Sequence, residues 1–110
     1  AFVIPLDDIL YIEKAKHGCR IVLSENSSIK AENEKIISRE KLSVLEEELK
    51  DEGFAVPHSS YLVNIKKIIS ISGTEVIMEG NERISVSRSC KENFHHKFSK
   101  FFGKKYRRSV

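Results

Sequence analysis

Short hydrophobic and β-branched runs alternate with polar turns along most of this chain. Residues 10–13 and 20–23 have strand character, and the polar connection at residues 14–18 between them predicts a hairpin. Residues 1–4 form an apolar run that a proline ends, so they predict an edge strand at best. Residues 29–37 alternate weakly and predict one or two poor strands.

A helical spacing of leucines marks the middle of the chain. Leu42, Leu45 and Leu49 recur at i, i+3 and i+7, which places them on one stripe of a helix. Ser38 is the predicted N-cap, and Gly53 is the residue expected after the helix C-terminus. Because the stripe is narrow, this helix is expected to lie on the surface of a sheet.

The second half of the chain predicts further strands and a second helix. The strands are expected at residues 54–56, 61–63, 65–71, 75–78 and 83–86. Asn64 is expected to fix a turn through its side chain, and Gly80 and Asn81 to form a hairpin tip. Ser87 is the predicted N-cap of the final helix. The apolar positions of this helix, which pack on the sheet or contact a partner protein, are Phe94, Phe98, Phe101 and Phe102.

This order of elements predicts a mainly β domain with a central short helix and a C-terminal helix. It contains no βαβ alternation, which excludes a doubly wound sheet. The 110 residues suffice for a single domain, residues 1–110. No apolar run approaches the roughly 20 residues that span a bilayer, and the start lacks both Met and a signal peptide. We therefore expect an excised domain of a cytoplasmic protein without membrane contact.

The charge of the chain is distributed unevenly, although its net value is only +3. Residues 31–53 carry eight acidic and four basic side chains, whereas residues 83–110 carry nine basic and one acidic. A polyanion is therefore expected to meet the C-terminal third of the chain, and the acidic stretch to face away. Charge alone does not separate DNA from RNA or a membrane surface. A solvated basic tail, at about residues 103–110, is the alternative.

The histidines and cysteines stand outside catalytic and metal-binding motifs. His95 and His96 are adjacent on the predicted helix, so their side chains point about 100° apart and flank the Phe positions. Cys19 and Cys90 lie far apart without metal-ligand spacing, so two reduced thiols are expected. No GxSxG, HExxH, Walker loop or CxxC sequence occurs. We expect neither an enzyme nor a metal or cofactor site.

Three polar connections hold groups suited to nucleic acid. They span residues 14–20, 57–60 and 85–91, and each holds basic or hydroxyl side chains without large apolar ones. Phosphate oxygens accept hydrogen bonds from Lys, Arg, Ser and helix N-termini, and one Arg donates two bonds to a guanine edge. Each loop taken singly is also explained as a solvated connection. Three together with the basic segment favour nucleic acid.

Four segments of the sequence resemble the LytTR DNA-binding domain family. Residues 54–68, which read FAVPHSSYLVNIKKI, resemble the core signature of the family. Residues 6–13 (LDDILYIE) resemble its opening, residues 42–49 (LSVLEEEL) its central helix, and residues 84–88 (ISVSR) the end of its closing strand. The segments occur in the family's order over almost the whole chain, so the match is specific.

The resemblance implies about ten short strands in small antiparallel sheets with one or two short helices. It also implies the output domain of a bacterial transcription regulator, usually behind a phosphorylatable receiver domain that a sensor kinase controls. Family members bind paired direct repeats of double-stranded DNA and place loops in successive major grooves. A receiver or sensor domain upstream of this sequence, and a dimer on tandem repeats, are therefore expected.

Carried over by position, the resemblance gives Arg88 the role of the family's base-contacting Arg and Ser59 that of a small polar base contact. Cys19 occupies the position of a base-contacting His, with Arg20 after it, and His17 lies two residues earlier as the alternative. The competing interpretation is that Cys19 begins the strand at residues 20–23 and points into the core, as small buried thiols usually do. The candidate DNA-binding residues are Lys16, His17, Cys19, Arg20, His58, Ser59, Ser60, Ser87, Arg88 and Lys91.

Two other functions remain as alternatives. An RNA- or single-strand-binding β-module would need aromatic side chains exposed on a sheet face for base stacking. Tyr11, Phe54 and Tyr61 stand among apolar neighbours instead. A protein-interaction domain that uses a sheet edge would need no basic segment. A comparison of binding to duplex and to single strands would separate the three functions.

Overall fold

The computed structural model describes residues 3–29 and 36–101, which form two antiparallel β-sheets and two α-helices. The prediction of a mainly β fold with a central and a C-terminal helix is confirmed. The described residues contain eight strands, against about ten that the resemblance implied. Phe102, the predicted basic tail and residues 30–35 of the weak-strand region lie outside the described residues.

The strands divide between a larger and a smaller sheet. The larger sheet contains β1 (Ile9–Ala15), β2 (Gly18–Leu23), β3 (Ile36–Ser38), β4 (Phe54–His58) and β5 (Tyr61–Asn64). Its spatial order is β3-β2-β1-β5-β4. The smaller sheet contains β6 (Ile68–Ile71), β7 (Glu75–Met78) and β8 (Arg83–Ser85) in that order. The helices are α1 (Leu42–Leu49) and α2 (Arg88–Phe101), and 3-10 turns at Leu6–Asp8 and Ile65–Lys67 precede β1 and β6.

The larger sheet is the middle layer of the domain and has a hydrophobic core on each face. Successive residues of a strand point to opposite faces, so Leu62 packs toward α1 and Leu42 while Val63 packs toward the smaller sheet and α2. Phe94 and Phe98 of α2 are buried against this second face, which confirms their predicted packing on the sheet. Burial on both faces explains why the strands read as nearly continuous apolar runs.

Asn64 fixes the end of β5, as predicted. Its Nδ2 donates hydrogen bonds to the carbonyl oxygens of Ile9 at 2.9 Å and Leu6 at 3.3 Å. Its Oδ1 accepts a hydrogen bond from the Lys66 backbone N–H at 3.2 Å. The fully buried amide therefore closes the turn after β5 and ties it to the start of β1.

The beginning of α1 differs from the prediction. Ser38 pairs with Cys19 as the last residue of β3, so it does not cap the helix. The N-cap is Lys41, whose side chain makes no capping hydrogen bond. Gly53 does not directly follow the helix end as predicted, because the C-cap is Lys50. It is the last residue of the turn at residues 50–53 and has a φ of +82°, a left-handed conformation that favours glycine. The predicted cap was wrong because β3 pairing takes Ser38 into the sheet.

Two other local predictions, the N-terminal edge strand and the tip of the β7–β8 hairpin, have opposite outcomes. Val3 and Ile4 are not part of a strand, and residues 1 and 2 lie outside the described residues. The tip of the β7–β8 hairpin is confirmed, since Gly80 and Asn81 both have positive φ, at 87° and 69°. Gly and Asn are the residues that adopt this conformation at least cost.

Candidate nucleic-acid interface

The three predicted polar connections meet at one end of the larger sheet. β1 pairs antiparallel with both β2 and β5, so the β1–β2 and β4–β5 turns lie side by side. The Lys14 backbone N–H donates to the Ser60 carbonyl oxygen at 2.8 Å, which joins the two turns. The Ser87 N–H donates to the Pro57 carbonyl oxygen at 2.8 Å, which brings the start of α2 beside them. We call this region, residues 14–18, 57–60 and 86–91, the turn end.

The β1–β2 turn is tighter than the sequence predicted. The strands continue to Ala15 and resume at Gly18, so the turn consists of Lys16 and His17, both exposed. Gly18 has a φ of +141°, and a Cβ placed on it would lie 2.0 Å from the Ser38 carbonyl oxygen. Glycine is therefore required here for β3 to pair so closely with β2. The turn presents one ammonium group and one imidazole at the outer limit of the sheet.

The expectation that Cys19 faces DNA is wrong. β2 begins at Gly18, so Cys19 is a strand residue, and its side chain is fully buried in the core beneath α1. Burial raises the pKa of the Cys19 thiol, whereas a reactive surface thiol has a lowered pKa. Of the two candidates in this hairpin for the family's base-contacting His, the exposed His17 remains.

A row of four side chains crosses the larger sheet just inside the turns. Glu13 is the direct cross-strand partner of Arg20 in β2 and of Tyr61 in β5, and Tyr61 is the partner of His58 in β4. Directly paired residues share one face of a sheet. This is the face that packs against α2, because Tyr61 contacts that core. The Tyr61 and His58 rings meet edge to face, with centroids 5.8 Å apart.

Glu13 holds the guanidinium of Arg20. The Arg20 Nε donates a hydrogen bond to the Glu13 Oε1 at 2.5 Å, and the two side chains are 36% and 26% exposed. This hydrogen bond raises the pKa of Arg20, which therefore stays charged. It uses Nε and leaves the two terminal nitrogens, whose forked N–H groups match the O6 and N7 acceptors of guanine. The pair thus fixes the direction of the guanidinium.

The β4–β5 turn presents a histidine in a defined tautomer. His58 Nδ1 accepts a hydrogen bond from the Ser60 backbone N–H at 3.1 Å, so the neutral ring carries its proton on Nε2 and can donate from there. Ser59 is exposed and Ser60 is half-buried. Pro57 and His58 belong to β4, so the connection has two residues rather than the predicted four.

The beginning of α2 completes the turn end. The Ser87 Oγ accepts a hydrogen bond from the Cys90 N–H at 3.3 Å, which confirms the predicted cap. Arg88 is the first helical residue and is exposed, and a helix N-terminus favours anions through its free N–H groups and its dipole. Lys91, also exposed, lies beside the β6–β7 turn, with its Nζ 3.2 Å from the position that a Cβ on Gly73 would take.

The basic side chains in the described part of the C-terminal segment, residues 83–101, do not lie on one surface. Arg88 and Lys91 are at the turn end, whereas Lys97 and Lys100 line a cavity with Gly53 at the opposite end. Helical rise places Lys97 roughly 13 Å from Arg88 along the α2 axis. These described residues lie at the two ends of α2, which runs beside the larger sheet from the turn end to the cavity, so contact of the whole segment with one polyanion stays a prediction.

Sequence reasoning missed two charged residues of this region. Glu13 could have been found from the hairpin itself, because residues 13 and 20 stand at equal distance from the Lys16–His17 turn and carry opposite charges. Arg39 is exposed and follows β3, with its Cα 2.9 Å from the position of a Cβ on Gly18. Its location depends on the pairing of β3 with β2, for which the sequence offers no local signal.

The described residues offer no competing chemical site of two common kinds. No three His, Cys, Asp or Glu side chains among them are grouped to hold a metal ion. None of the helices in the described ranges is long and apolar enough to cross a membrane. A small two-sheet β-domain that gathers Arg, Lys, His and Ser donors at one end has the composition of a nucleic-acid-binding domain.

Comparison with known proteins identifies the family. The LytTr DNA-binding domain family matches residues 1–99, so the chain belongs to this family. It is thus a DNA-binding domain of a family that is not catalytic, and the family inferred from the sequence segments is confirmed.

A solved structure shares the fold. The chain is similar to the LytTr DNA-binding domain of a Bacillus cereus protein described as a methyl-accepting/DNA response regulator, with a TM-score of 0.72 and 22% identity. The match covers 86% of this chain and 84% of that one, and at this identity it shows the fold alone. No curated protein matches the chain.

Proposed function

We propose that this domain binds double-stranded DNA in a sequence-specific manner, as the output domain of a bacterial transcription regulator. The observation that supports this most is the convergence of two tight turns and the α2 N-terminus at the turn end. Backbone hydrogen bonds from Lys14 to Ser60 and from Ser87 to Pro57 set their spacing. Base recognition needs donors held on rigid elements, and turns between paired strands supply them.

In this proposal two arginines and a serine contact base edges. Arg88 extends from the first position of α2, where the Ser87 cap fixes the helix start. Arg20 presents its terminal nitrogens in the direction that Glu13 sets. Ser59, exposed in the β4–β5 turn, is the small polar contact. An Arg that donates two bonds to guanine contributes about 1–3 kcal/mol of discrimination between bases.

The remaining candidates contact the phosphate backbone and position the domain. Lys16, His17 and Lys91 are exposed at the rim of the turn end, so in this proposal Arg20 rather than His17 makes the base contact of the β1–β2 hairpin. His58 donates from Nε2, since Ser60 occupies its Nδ1. Such contacts increase affinity for any duplex without specifying its sequence.

We place the domain in a cytoplasmic regulator, behind a receiver domain that a sensor kinase phosphorylates. Two copies would occupy paired direct repeats, each with its turns in successive major grooves. The resemblance of the sequence segments to the LytTR family supports this context, as does the similarity to a domain of a described DNA response regulator. Binding of single strands by base stacking is disfavoured, because Tyr11 and Phe54 are buried.

The decisive experiment selects a preferred duplex from a random library and compares it with scrambled and single-stranded DNA. The preferred duplex is expected to bind most tightly, and Arg88→Ala is expected to weaken it by about 1–3 kcal/mol while affecting the scrambled duplex less. Arg83→Ala is the matched control, because Arg83 is exposed but bound by Glu75 in the smaller sheet. Equal binding of single strands, or an unchanged preference in Arg88→Ala, would overturn the proposal.

A further inference from the structure

A cavity of about 610 Å³ lies at the end of the domain opposite the turn end. Gly53 and Phe54 stand where β4 begins and Ile65 where β5 has ended, so the cavity is one strand length from the β4–β5 turn. α2 closes one side with its last two turns. Its volume falls within the roughly 300–1,000 Å³ that is usual for small-molecule sites.

The floor of the cavity is apolar and fixed in shape. Phe54 and Ile65 are each 1% exposed, and the Ile65 N–H donates to the Gly53 carbonyl oxygen at 2.8 Å. A Cβ on Gly53 would lie 2.7 Å from the Phe101 ring, so this ring lies directly on the glycine backbone. Since Phe54 and Ile65 are almost completely buried, the half-buried Phe101 ring is the apolar surface that a flat or aliphatic group can cover.

The rim of the cavity carries more positive than negative charge. Lys50 is bound by Glu47 at 2.7 Å and is also attracted by Asp51, so these three groups leave one net negative charge, and Glu47 also attracts Lys97. Lys97 and Lys100 stand one helical turn apart on α2 and line the cavity. Neither forms an ion pair with a carboxylate in the part of the chain that the structure describes. Two ammonium groups are thus available above the apolar floor.

We propose that this cavity binds a small amphipathic anion, whose carboxylate or phosphate group contacts Lys97 and Lys100 and whose aromatic or aliphatic part covers the Phe101 ring. A neutral aromatic molecule can use only the apolar floor, and inorganic phosphate can interact only with the two lysines at the rim. Pockets of this type combine a mainly apolar lining with a few polar groups that set orientation. The site is separate from the proposed DNA interface, because it lies at the other end of α2.

The test is an NMR titration of the ¹⁵N-labelled domain with indole-3-acetate, octanoate and phenyl phosphate. At least one of these anions is expected to give saturable shifts of the amides of residues 50–54, 65 and 97–101. Indole-3-acetamide has the same ring without the charge, and it is expected to bind at least about fivefold more weakly than indole-3-acetate. Inorganic phosphate alone is expected to bind weakly as well.

Substitutions at the rim locate the charge that matters. Lys97→Gln and Lys100→Gln are each expected to weaken anion binding roughly threefold or more and to leave indole-3-acetamide unaffected. Lys41→Gln is the matched control, because Lys41 is exposed at the far end of α1. The proposal is overturned if no anion saturates at millimolar concentration, if the amide binds as well as the acid, or if Lys41→Gln has the same effect. DNA binding by the same samples reports on the turn end independently.

Discussion

At the scale of single residues, the Glu13 carboxylate decides what Arg20 can do. An acidic group near a DNA surface repels phosphate, so its presence needs a compensating role. Glu13 accepts the Nε hydrogen bond of Arg20 and does not occupy the two terminal nitrogens of the guanidinium. A partly buried ion pair of this kind holds one side-chain conformation, which lowers the entropy cost of ordering Arg20 on a base. Glu13 is therefore expected to increase specificity at the expense of nonspecific affinity.

Glu13→Gln tests whether Glu13 increases specificity at the expense of nonspecific affinity. The variant should bind scrambled duplex roughly two- to fivefold more tightly, since one negative charge is removed, and should lose about 1–2 kcal/mol of preference for the selected duplex. Titrations of both duplexes by fluorescence anisotropy measure the two effects. Glu47→Gln is the control, because it removes an ion-pair carboxylate at the opposite end of the domain. A preference equal to that of the wild type would show that Glu13 does not orient Arg20.

Cys19→Ser tests the position of the thiol. The replacement puts a hydroxyl without a partner into the core beneath α1, and it should cost about 1–3 kcal/mol of unfolding free energy while leaving DNA affinity unchanged. Cys90→Ser should cost less than about 1 kcal/mol, since Cys90 is only half-buried. In thiol labelling of the folded protein, Cys90 should react first and Cys19 only after unfolding. Rapid labelling of Cys19 in the folded state would contradict its burial.

At the scale of elements, local sequence signals predicted the structures that neighbouring residues form. They failed where pairing with a strand distant in sequence determines the structure. The Gly80–Asn81 hairpin tip and the Ser87 cap were predicted, because the residues that form them are neighbours. Ser38 was assigned to α1 because an N-cap is a local pattern, yet its pairing with Cys19 places it in β3. The same extension of the hairpin buries Cys19, which the polar residues around it did not indicate.

Gly18→Ala measures how strongly β3 depends on that glycine. A side chain at φ +141° is strained, and its Cβ would collide with the Ser38 carbonyl oxygen, so β3 must move away. We expect a loss of at least about 3 kcal/mol in urea unfolding, with faster amide exchange at Ile36–Ser38. Gly80→Ala should cost only about 1–2 kcal/mol, since φ is +87° there and no atom lies within 4 Å of the added Cβ. Equal losses of unfolding free energy in the two variants would mean that contact with β3 does not determine the effect of a side chain at residue 18.

At the scale of the whole molecule, α2 connects two ends of different character. Its first turn contributes Arg88 and Lys91 to the turn end, and its last turns contribute Lys97 and Lys100 to the cavity. Charge counting along the sequence predicted contact with a polyanion but assigned these residues to one surface, because it contains no information on the length and direction of α2 in the fold. The resemblance named loops that the structure brings together at the turn end, because it carries the tertiary arrangement that composition lacks.

The salt dependence of DNA affinity distinguishes the contributions of the two ends of α2 to DNA binding. Each phosphate contact contributes about −0.9 to the slope of log affinity against log salt concentration, because binding releases counterions. Lys91→Gln should reduce the steepness of that slope by roughly 0.9 on selected and scrambled duplex alike. Lys97→Gln should leave the slope within error of the wild type, because residue 97 lies roughly 13 Å beyond Arg88 along the helix axis, which exceeds a Debye length of about 10 Å at 0.1 M salt. Affinities measured between 50 and about 300 mM salt give these slopes. Equal reductions in the two variants would place DNA along the whole of α2 and remove the distinction between the turn end and the cavity.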